Sequence, residues 1–292
     1  MAGDDDQTIY GFQGADPNCF MQQEGERDDQ EVSRRVPRSV HREAIKILNQ
    51  LTTRIDKKWI PRDAEGKVYP NYVLDEIDFS KGEWMILART NKLLLNISEH
   101  FYSLGVRFTG KTNKYLPNSI LEAYRVWTRL NQGAFVSGEE AQTVYQYLVV
   151  KKGHIARGFS DGKSLQNETS VDLDKLKSHH GLLISGDWRQ LHLPEDTKEY
   201  MQTLLERGDT LMEKSKIKLL TLHGSKGKEC ENVCLFTDYG TEGQDEFIYR
   251  SAYENPDAEH RLFFVGTTRA KENLYIMQPN SDYFYTIGEP IV

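Results

Sequence analysis

A polar loop in the sequence combines residue types that are suited to binding phosphate. The loop, HGSKGKE, lies between the apolar runs KLLT and NVCLF within residues 217–236. It carries His223, Lys226, Gly227 and Glu229, and we expect these residues to leave the carboxyl end of a β-strand. Ligands of open α/β sheets bind at such strand ends. The sequence therefore predicts a ligand site here, with charge concentrated where phosphate could sit.

Two arginines at predicted strand or turn ends could place positive charge on the γ-phosphate of a nucleotide. Arg35 lies in SRRVP, and Arg269 lies in TTRA after the apolar run EHRLFFVG. Phosphoryl transfer needs such charge, together with a metal ion and an oriented water. An arginine finger accelerates the reaction by about 10³- to 10⁵-fold, whereas a surface ion pair is worth at most about 1 kcal/mol. The residue types alone do not show whether each arginine acts as a finger or forms a surface ion pair.

The segment GVRFTGKT, residues 105–112, fits the phosphate-loop pattern GxxxxGK[ST] letter for letter. That pattern binds phosphate when a strand precedes it and a helix follows, because backbone N–H groups and the helix dipole then point at the ligand. Here a predicted helix precedes Gly105, VRF favours a strand, and NKYLPN follows without apolar periodicity. We therefore interpret the segment as a helix stop and a strand-end turn. Robust ATP hydrolysis that Lys111→Ala abolishes would reverse this interpretation.

The elements that must position these residues read as a parallel α/β sheet. Residues 84–88, WMILA, are continuously apolar, as expected of a strand covered on both faces. A predicted helix follows and stops at Gly105, and residues 106–108 are predicted as a further strand, which implies a right-handed parallel crossover. Another helix is predicted over 37–55. The strand and loop pattern resumes at 216 and continues to 277.

Residues 118–212 have a different, mostly helical character. A capping box, Ser137-x-x-Glu140, introduces one of the helices. No strong strand pattern is visible, so we expect a helical insertion between two halves of one sheet. The predicted helices cover 120–130, 139–149 and 194–212, and a loop is predicted over 153–169.

Composition describes a soluble globular protein of 292 residues, 38% hydrophobic and 28% charged, with room for one large or two smaller domains. Its three cysteines lack a Cys-x-x-Cys pair, which argues against a disulfide framework and a zinc site. No apolar run is long enough to cross a bilayer and no leader opens the chain, so we expect a cytoplasmic protein with no membrane partner.

The formal charge of −7 is unevenly distributed along the chain. Residues 1–31 carry nine acidic side chains and one basic side chain, whereas residues 34–58 carry eight basic and two acidic ones. A free-standing nucleic-acid binder usually has a basic face. Any phosphate-binding surface is therefore expected to be local.

Three blocks together resemble motifs III, V and VI of the UvrD/Rep-type superfamily 1 DNA helicases. They are GDDDQTIYGFQGAD near the amino terminus, IKLLTLHGSKGKECENVCLF, and EHRLFFVGTTRA. SRRVP resembles motif IV, and RTN resembles a further family segment. The resemblance implies a RecA-like parallel sheet flanked by helices and interrupted by a mostly α-helical insertion. The implied domains are a remnant of the first RecA-like domain with motif III (1–31), the second RecA-like domain (32–117 and 214–292), and the insertion (118–213).

The resemblance implies three catalytic residues. Arg269 matches the motif VI arginine, and Arg35 matches the motif IV arginine. Gln7 matches the motif III glutamine, which in relatives senses the γ-phosphate and links it to DNA.

Four further residues are implied in binding the nucleotide. Glu229 matches the motif V acid that accepts a hydrogen bond from the ribose, Gly227 would let the backbone come close, and Lys226 adds charge. Arg34 stands where many relatives carry a tyrosine stacked on adenine. Since a guanidinium can also stack on an aromatic face, this departure affects only the detail.

Single-stranded DNA is expected to contact aromatic faces and backbone donors. The residues implied by the resemblance are Tyr10 and Phe12 at base-stacking positions, Thr221 and His223 on the strand path, and Arg89 and Asn91 beside them. Gln13 departs from the arginine that is common at its position.

The function implied is that of a C-terminal fragment of an ATP-dependent DNA helicase or translocase, moving 3′ to 5′, that supplies an arginine finger and DNA contacts. ATP and Mg²⁺ are expected in the full-length protein, and none tightly bound to this fragment. The expected partners are single-stranded DNA or a single/double-strand junction, and a missing N-terminal RecA-like domain that carries the P-loop. The isolated fragment is expected to be inactive. The alternatives are a non-catalytic nucleic-acid-binding module with a helicase-like fold, and a stand-alone NTPase that uses residues 105–112.

Overall fold

A computed structural model of the chain describes residues 3–26 and 28–291. These residues divide into two compact units. The first is drawn from Met1–His100, Phe108–Thr112 and Ser215–Val292, and the second from Phe101–Arg107 and Asn113–Lys214. Each helix in the described ranges is too short or too polar to span a membrane.

The first unit is built on a parallel sheet, so the prediction of an α/β fold is confirmed. Its five strands among the described residues follow the spatial order β1-β5-β4-β2-β3, and every pairing is parallel. The interior strand β2, between β4 and β3, is buried along its whole length, as its apolar sequence predicts. The strands are β1 (Lys67–Tyr72), β2 (Trp84–Ala88), β3 (Ile217–Thr221), β4 (Cys230–Leu235) and β5 (Ala270–Met277).

Helices α2 and α9 pack together in the core of the first unit. Val40, Ala44 and Ile47 of α2 recur at helical spacing and are fully buried in the same core as Phe263 and Val265 of α9. The helices outside the second unit are α1 (Pro17–Met21), α2 (Arg38–Leu48), α8 (Asp245–Glu254) and α9 (Pro256–Thr267), and α3 (Asn91–Ser103) passes from the first unit into the second.

The helix predicted over 37–55 is shorter than its apolar pattern suggests and ends at Leu48. Beyond that point the backbone bonds to side chains elsewhere in the unit. The N–H groups of Thr52 and Thr53 donate to the Asp257 carboxylate at 2.9 and 3.0 Å, and that of Ile55 donates to Asp5 at 2.8 Å. Tertiary hydrogen bonds replace the helical ones, and no local pattern reports them.

Two further predictions about strands are wrong. Residues 106–108 form no strand, and only Thr109 makes a single parallel bridge, to Lys218. The apolar run before Arg269 is helix α9 instead of part of a strand and loop pattern. Asn255 caps this helix and Pro256 begins it. Because α9 is buried on all sides, its apolar residues lack the periodicity that separates helix from strand.

The second unit is helical, as predicted, and has its own core around Trp127, Tyr200 and Met201. The predicted capping box is confirmed, since Ser137 and Glu140 exchange hydrogen bonds of 2.8 and 3.1 Å. The last helix ends before Gly208, whose φ of +87° no longer continues a helix. The helices are α4 (Asn118–Asn131), α5 (Gly138–Tyr145), α6 (Leu173–His179) and α7 (Glu195–Glu206), of which α6 was not predicted.

Candidate functional site

Four side chains predicted to serve nucleotide chemistry meet in the first unit, and we call them the arginine cluster: Gln7, Arg35, Glu229 and Arg269. The Arg269 Nη2 atom lies 3.4 Å from Gln7 Oε1. Arg35 and Glu229 are both close enough to act on the charge of Arg269. Residues separated by more than two hundred positions in the sequence thus share one site.

The Arg269 guanidinium is held rigidly by its surroundings. Its Nε donates to the Val265 carbonyl at 2.7 Å, its Nη1 to the Lys228 carbonyl at 3.2 Å, and its Nη2 to Thr268 Oγ1 at 3.0 Å. The Val265 carbonyl belongs to the last turn of α9, where carbonyl groups lack helical partners. The guanidinium is therefore oriented by α9 and by the β3–β4 loop before any ligand binds.

The two arginines of the cluster lie in a poorly hydrated setting. Burial, reinforced by the positive charge of Arg35, lowers the pKa of Arg269 to about 9, which leaves it charged at neutral pH. Burial also lowers the pKa of Arg35, while the charges of Glu229 and Asp4 oppose that shift. The Arg35 Nε atom is buried and has no hydrogen-bond partner among the described residues. The unused Arg35 donor is therefore the group of this cluster that is free to bind an acceptor.

Two members of the arginine cluster stand at the amino-terminal end of the sheet, whereas the loop that carries Glu229 was predicted at a carboxyl end. Glu229 directly precedes β4 and Arg269 directly precedes β5, so both lie at amino-terminal strand ends. Because β3 and β4 are parallel, the loop between them must return from one end of the sheet to the other. Only its first part, at His223, lies at the carboxyl end of a strand. The prediction of a carboxyl-end position is therefore wrong for Glu229.

The other predicted nucleotide residues lie around this cluster in different settings. Lys226 Nζ donates to the Gln7 carbonyl at 2.8 Å and lies 5.2 Å above the Tyr10 ring. Gly227 is exposed and has a φ of +78°, which favours glycine. Arg34 is exposed. Their roles with a nucleotide stay predictions.

Three of the residues predicted to contact DNA form an aromatic cluster: Tyr10, Phe12 and His223. The Phe12 ring lies 5.3 Å from the His223 ring and 5.9 Å from the Tyr10 ring, edge to face in both cases. The Tyr10 hydroxyl donates to the His223 carbonyl at 3.1 Å. Phe12 is 71% exposed although it is large and apolar. An exposed ring on an ordered aromatic base is suited to stacking on a nucleobase.

His223 is neutral at physiological pH in this setting. Burial and the nearby charge of Arg89 lower its pKa to about 4, although a backbone hydrogen bond involving Ile9 opposes the shift. The ring can therefore contact a base without adding charge.

The remaining predicted DNA residues have structural contacts of their own. Arg89, directly after β2, donates to the buried Glu259 carboxylate at 2.7 and 3.2 Å and so ties the strand end to α9. Thr221 Oγ1 accepts from the Gly224 N–H at 3.1 Å. Asn91 is exposed at the start of α3. Their roles with DNA stay predictions.

Residues 105–112 lack the geometry of a phosphate-binding loop. The helix stop at Gly105 is confirmed, but the turn that follows does not end a strand. Gly105 follows the end of α3 and has a φ of +58°. A Cβ at Gly110 would lie 2.6 Å from the Leu219 carbonyl oxygen, so this glycine serves close packing against β3. The next helix begins only at Asn118. No helix N-terminus therefore follows Lys111 directly.

A charge network that the sequence analysis missed anchors the segment before Gln7. The Lys57 ammonium lies 2.6 Å from Asp4, 2.5 Å from Asp5 and 2.9 Å from Asp6, and Arg54 donates twice to Asp6. Asp5 and Asp6 are almost fully buried. Burial raises the pKa of Asp5, but hydrogen bonds from Lys57 and the Ile55 N–H bring it below its ordinary value. The sequence signal that could have revealed this network is the opposite charge of residues 1–31 and residues 34–58.

The same three carboxylates are close enough together to share a metal ion. The Lys57 ammonium already lies within hydrogen-bonding distance of all three. A resident cation and a metal would compete for the same oxygens, so these residues do not fit Mg²⁺ in this arrangement. We assign no metal to them.

Lys57→Met is expected to lower the free energy of unfolding by about 2 to 4 kcal/mol, because it leaves buried carboxylates without their cation. Urea denaturation followed by circular dichroism measures this change. Lys58→Met is the matched control, since Lys58 and its partner Glu31 are largely exposed and the pair is worth at most about 1 kcal/mol. Equal stability of the two variants would contradict the anchoring role of Lys57.

Comparison with known proteins finds similarity in the part of the chain that contains His223, Glu229 and Arg269. Residues 193–281 match the model of the UvrD-like helicase C-terminal domain. A stretch of 97 residues, 31% of this chain, is 32% identical to a probable DNA helicase of Mycoplasma pneumoniae. That stretch spans 17% of the relative's length. Residues 193–281 are therefore similar to a UvrD-like helicase C-terminal domain, and the matched stretch spans less than a fifth of the relative's length.

Proposed function

We propose that this chain is the second motor half of an ATP-dependent DNA helicase or translocase. In this proposal the arginine cluster acts on the phosphates of ATP held by a separate RecA-like domain, and the aromatic cluster holds single-stranded DNA. The observation that carries the proposal is the pairing of Arg35 and Arg269 beside Gln7, with an Arg35 donor that has no partner among the described residues. The family match supports the helicase assignment.

The residues that would hold ATP are Arg269 and Arg35 at the phosphates, Gln7 beside them, and Glu229 toward the ribose. When bound, ATP supplies the phosphoanhydride bond that is broken. Negative charge on the transferred group is stabilised best by donors that are already oriented and shielded from water. Arg269 meets both conditions, since it is 1% exposed and held by three hydrogen bonds.

A short segment connects the two clusters and supports a coupling role for Gln7. The Gln7 side chain touches Arg269, while its carbonyl accepts from Lys226. Three residues later, the Tyr10 hydroxyl donates to the His223 carbonyl. A shift of Gln7 toward a phosphate would therefore be transmitted along the short segment from Gln7 to Tyr10 and reach the rings proposed to stack on DNA. Movement in the 3′ to 5′ direction is proposed from the IYGFQGA sequence of this segment.

Phe12→Ala is expected to weaken binding of this chain to a fluorescent oligothymidine by about 5- to 150-fold, because one stacked base contributes about 1 to 3 kcal/mol. Fluorescence anisotropy at fixed salt measures the affinity. Phe135→Ala is the matched control, since Phe135 is 65% exposed but lies in the second unit. Undiminished DNA binding by Phe12→Ala would remove the aromatic cluster from the proposed DNA path.

Arg269→Ala is expected to reduce DNA-stimulated ATP hydrolysis by about 10³- to 10⁵-fold in the natural protein that contains this chain, as for other arginine fingers. Arg35→Ala, which removes a less enclosed side chain, is expected to cause a loss of the same kind. Circular dichroism and thermal unfolding establish that both variants fold. Normal hydrolysis by folded Arg269→Ala would rule out the finger role of this residue.

A further inference from the structure

An acidic groove lies beside helix α8 in the first unit, and it shares no lining residue with the arginine cluster or the aromatic cluster. Its volume is about 720 Å³. The lining side chains that carry its character are Glu242, Asp245, Glu246, Phe247, Arg250 and Asp282. They come from the start of α8 and from the chain that follows β5.

The charge of the groove is strongly negative. It contains four carboxylates and one cation, Arg250, which is bound to Glu246 at 2.5 Å. Glu242 and Asp282 are exposed. Asp245 accepts a hydrogen bond of 2.6 Å from the Ser281 hydroxyl, which lowers the pKa of Asp245 and keeps it ionised. Such a surface repels the phosphates of DNA and attracts positive charge.

A large apolar ring is presented at the same groove. Phe247 is 77% exposed, the highest value for a large hydrophobic residue in the described part of the chain. Helix α8 itself is packed firmly, because Tyr249 contacts the rings of Tyr239 and Tyr283 at 5.4 and 5.3 Å and Ala252 is buried. The ring is thus displayed by an ordered helix, and neither proposed ligand of the chain accounts for it.

We propose that the acidic groove is the docking site for a segment of a partner protein that carries lysine or arginine beside a large apolar side chain. Charge complementarity selects the basic residues and steers their approach. Phe247 provides the aromatic anchor that such interfaces use at their centre. This inference does not depend on the proposed motor function, since none of its residues belongs to either cluster.

The test uses this chain and a short fluorescein-labelled peptide of arginine, leucine and glycine, with binding measured by anisotropy at low and moderate salt. Glu242→Lys combined with Asp282→Lys is expected to weaken binding by about tenfold or more, because rim charges govern such encounters. Phe247→Ser is expected to weaken it by about threefold to tenfold through loss of the apolar contact. Because Glu242, Phe247 and Asp282 are all exposed, both variants are expected to fold.

The matched control is Glu122→Lys combined with Glu199→Lys, which makes the same change in net charge on exposed helix positions of the second unit. It is expected to bind the peptide as the unaltered chain does. Equal losses in the two charge variants would reduce the effect to net charge and overturn the proposal. Failure of the unaltered chain to bind the peptide, or full affinity in Phe247→Ser, would overturn it as well. Oligothymidine binding is expected to be unchanged in Phe247→Ser, which alters no charge, and this separates the test from that of the motor function.

Discussion

Two guanidinium groups, one buried and one half-buried, whose positive charges act on each other are the constraint around which this site is arranged. Like charges in a poorly hydrated setting repel more strongly than they do at a surface, so the protein must hold them by other contacts. For Arg269 these are carbonyl groups at the end of α9 and in the β3–β4 loop. For Arg35 the backbone is fixed instead, since Arg62 donates to its carbonyl at 2.9 Å and also to the carbonyl of Lys271.

The segment around Gln7 is the second part of this arrangement, and its position depends on charge more than on packing. Asp5 and Asp6 are buried only because Lys57 and Arg54 neutralise them, and Arg261 adds a hydrogen bond of 3.1 Å to the Asp5 carbonyl. Removing one partner of such a pair would leave an uncompensated buried charge and would strongly destabilise the protein. The anchored segment then sets where the side chains of the aromatic cluster stand.

Much of the fold could be predicted from the sequence because its elements have strong local signals. The continuous apolar run of β2, the glycine at 105 and the capping box at Ser137 each have a short-range physical cause. The sequence could not show whether α9 is a helix or a strand. The helix is buried on all sides, so its apolar residues have no periodicity that would distinguish the two. The end of α2 was missed because distant carboxylates, such as Asp257, replace its helical hydrogen bonds. The members of the arginine cluster were predicted by resemblance, whereas Lys57 was not, since its partners are distant in sequence.

Binding of inorganic tripolyphosphate to this chain, measured by isothermal titration calorimetry at low salt, tests most directly whether the arginine cluster is a polyphosphate site. The account predicts binding that weakens with added salt and falls by about tenfold or more in Arg35→Gln, because charge-assisted contacts to phosphate are lost. Arg38→Gln serves as the control, since Arg38 is an exposed arginine paired with Asp63. Equal affinity of Arg35→Gln and the unaltered chain would contradict the account.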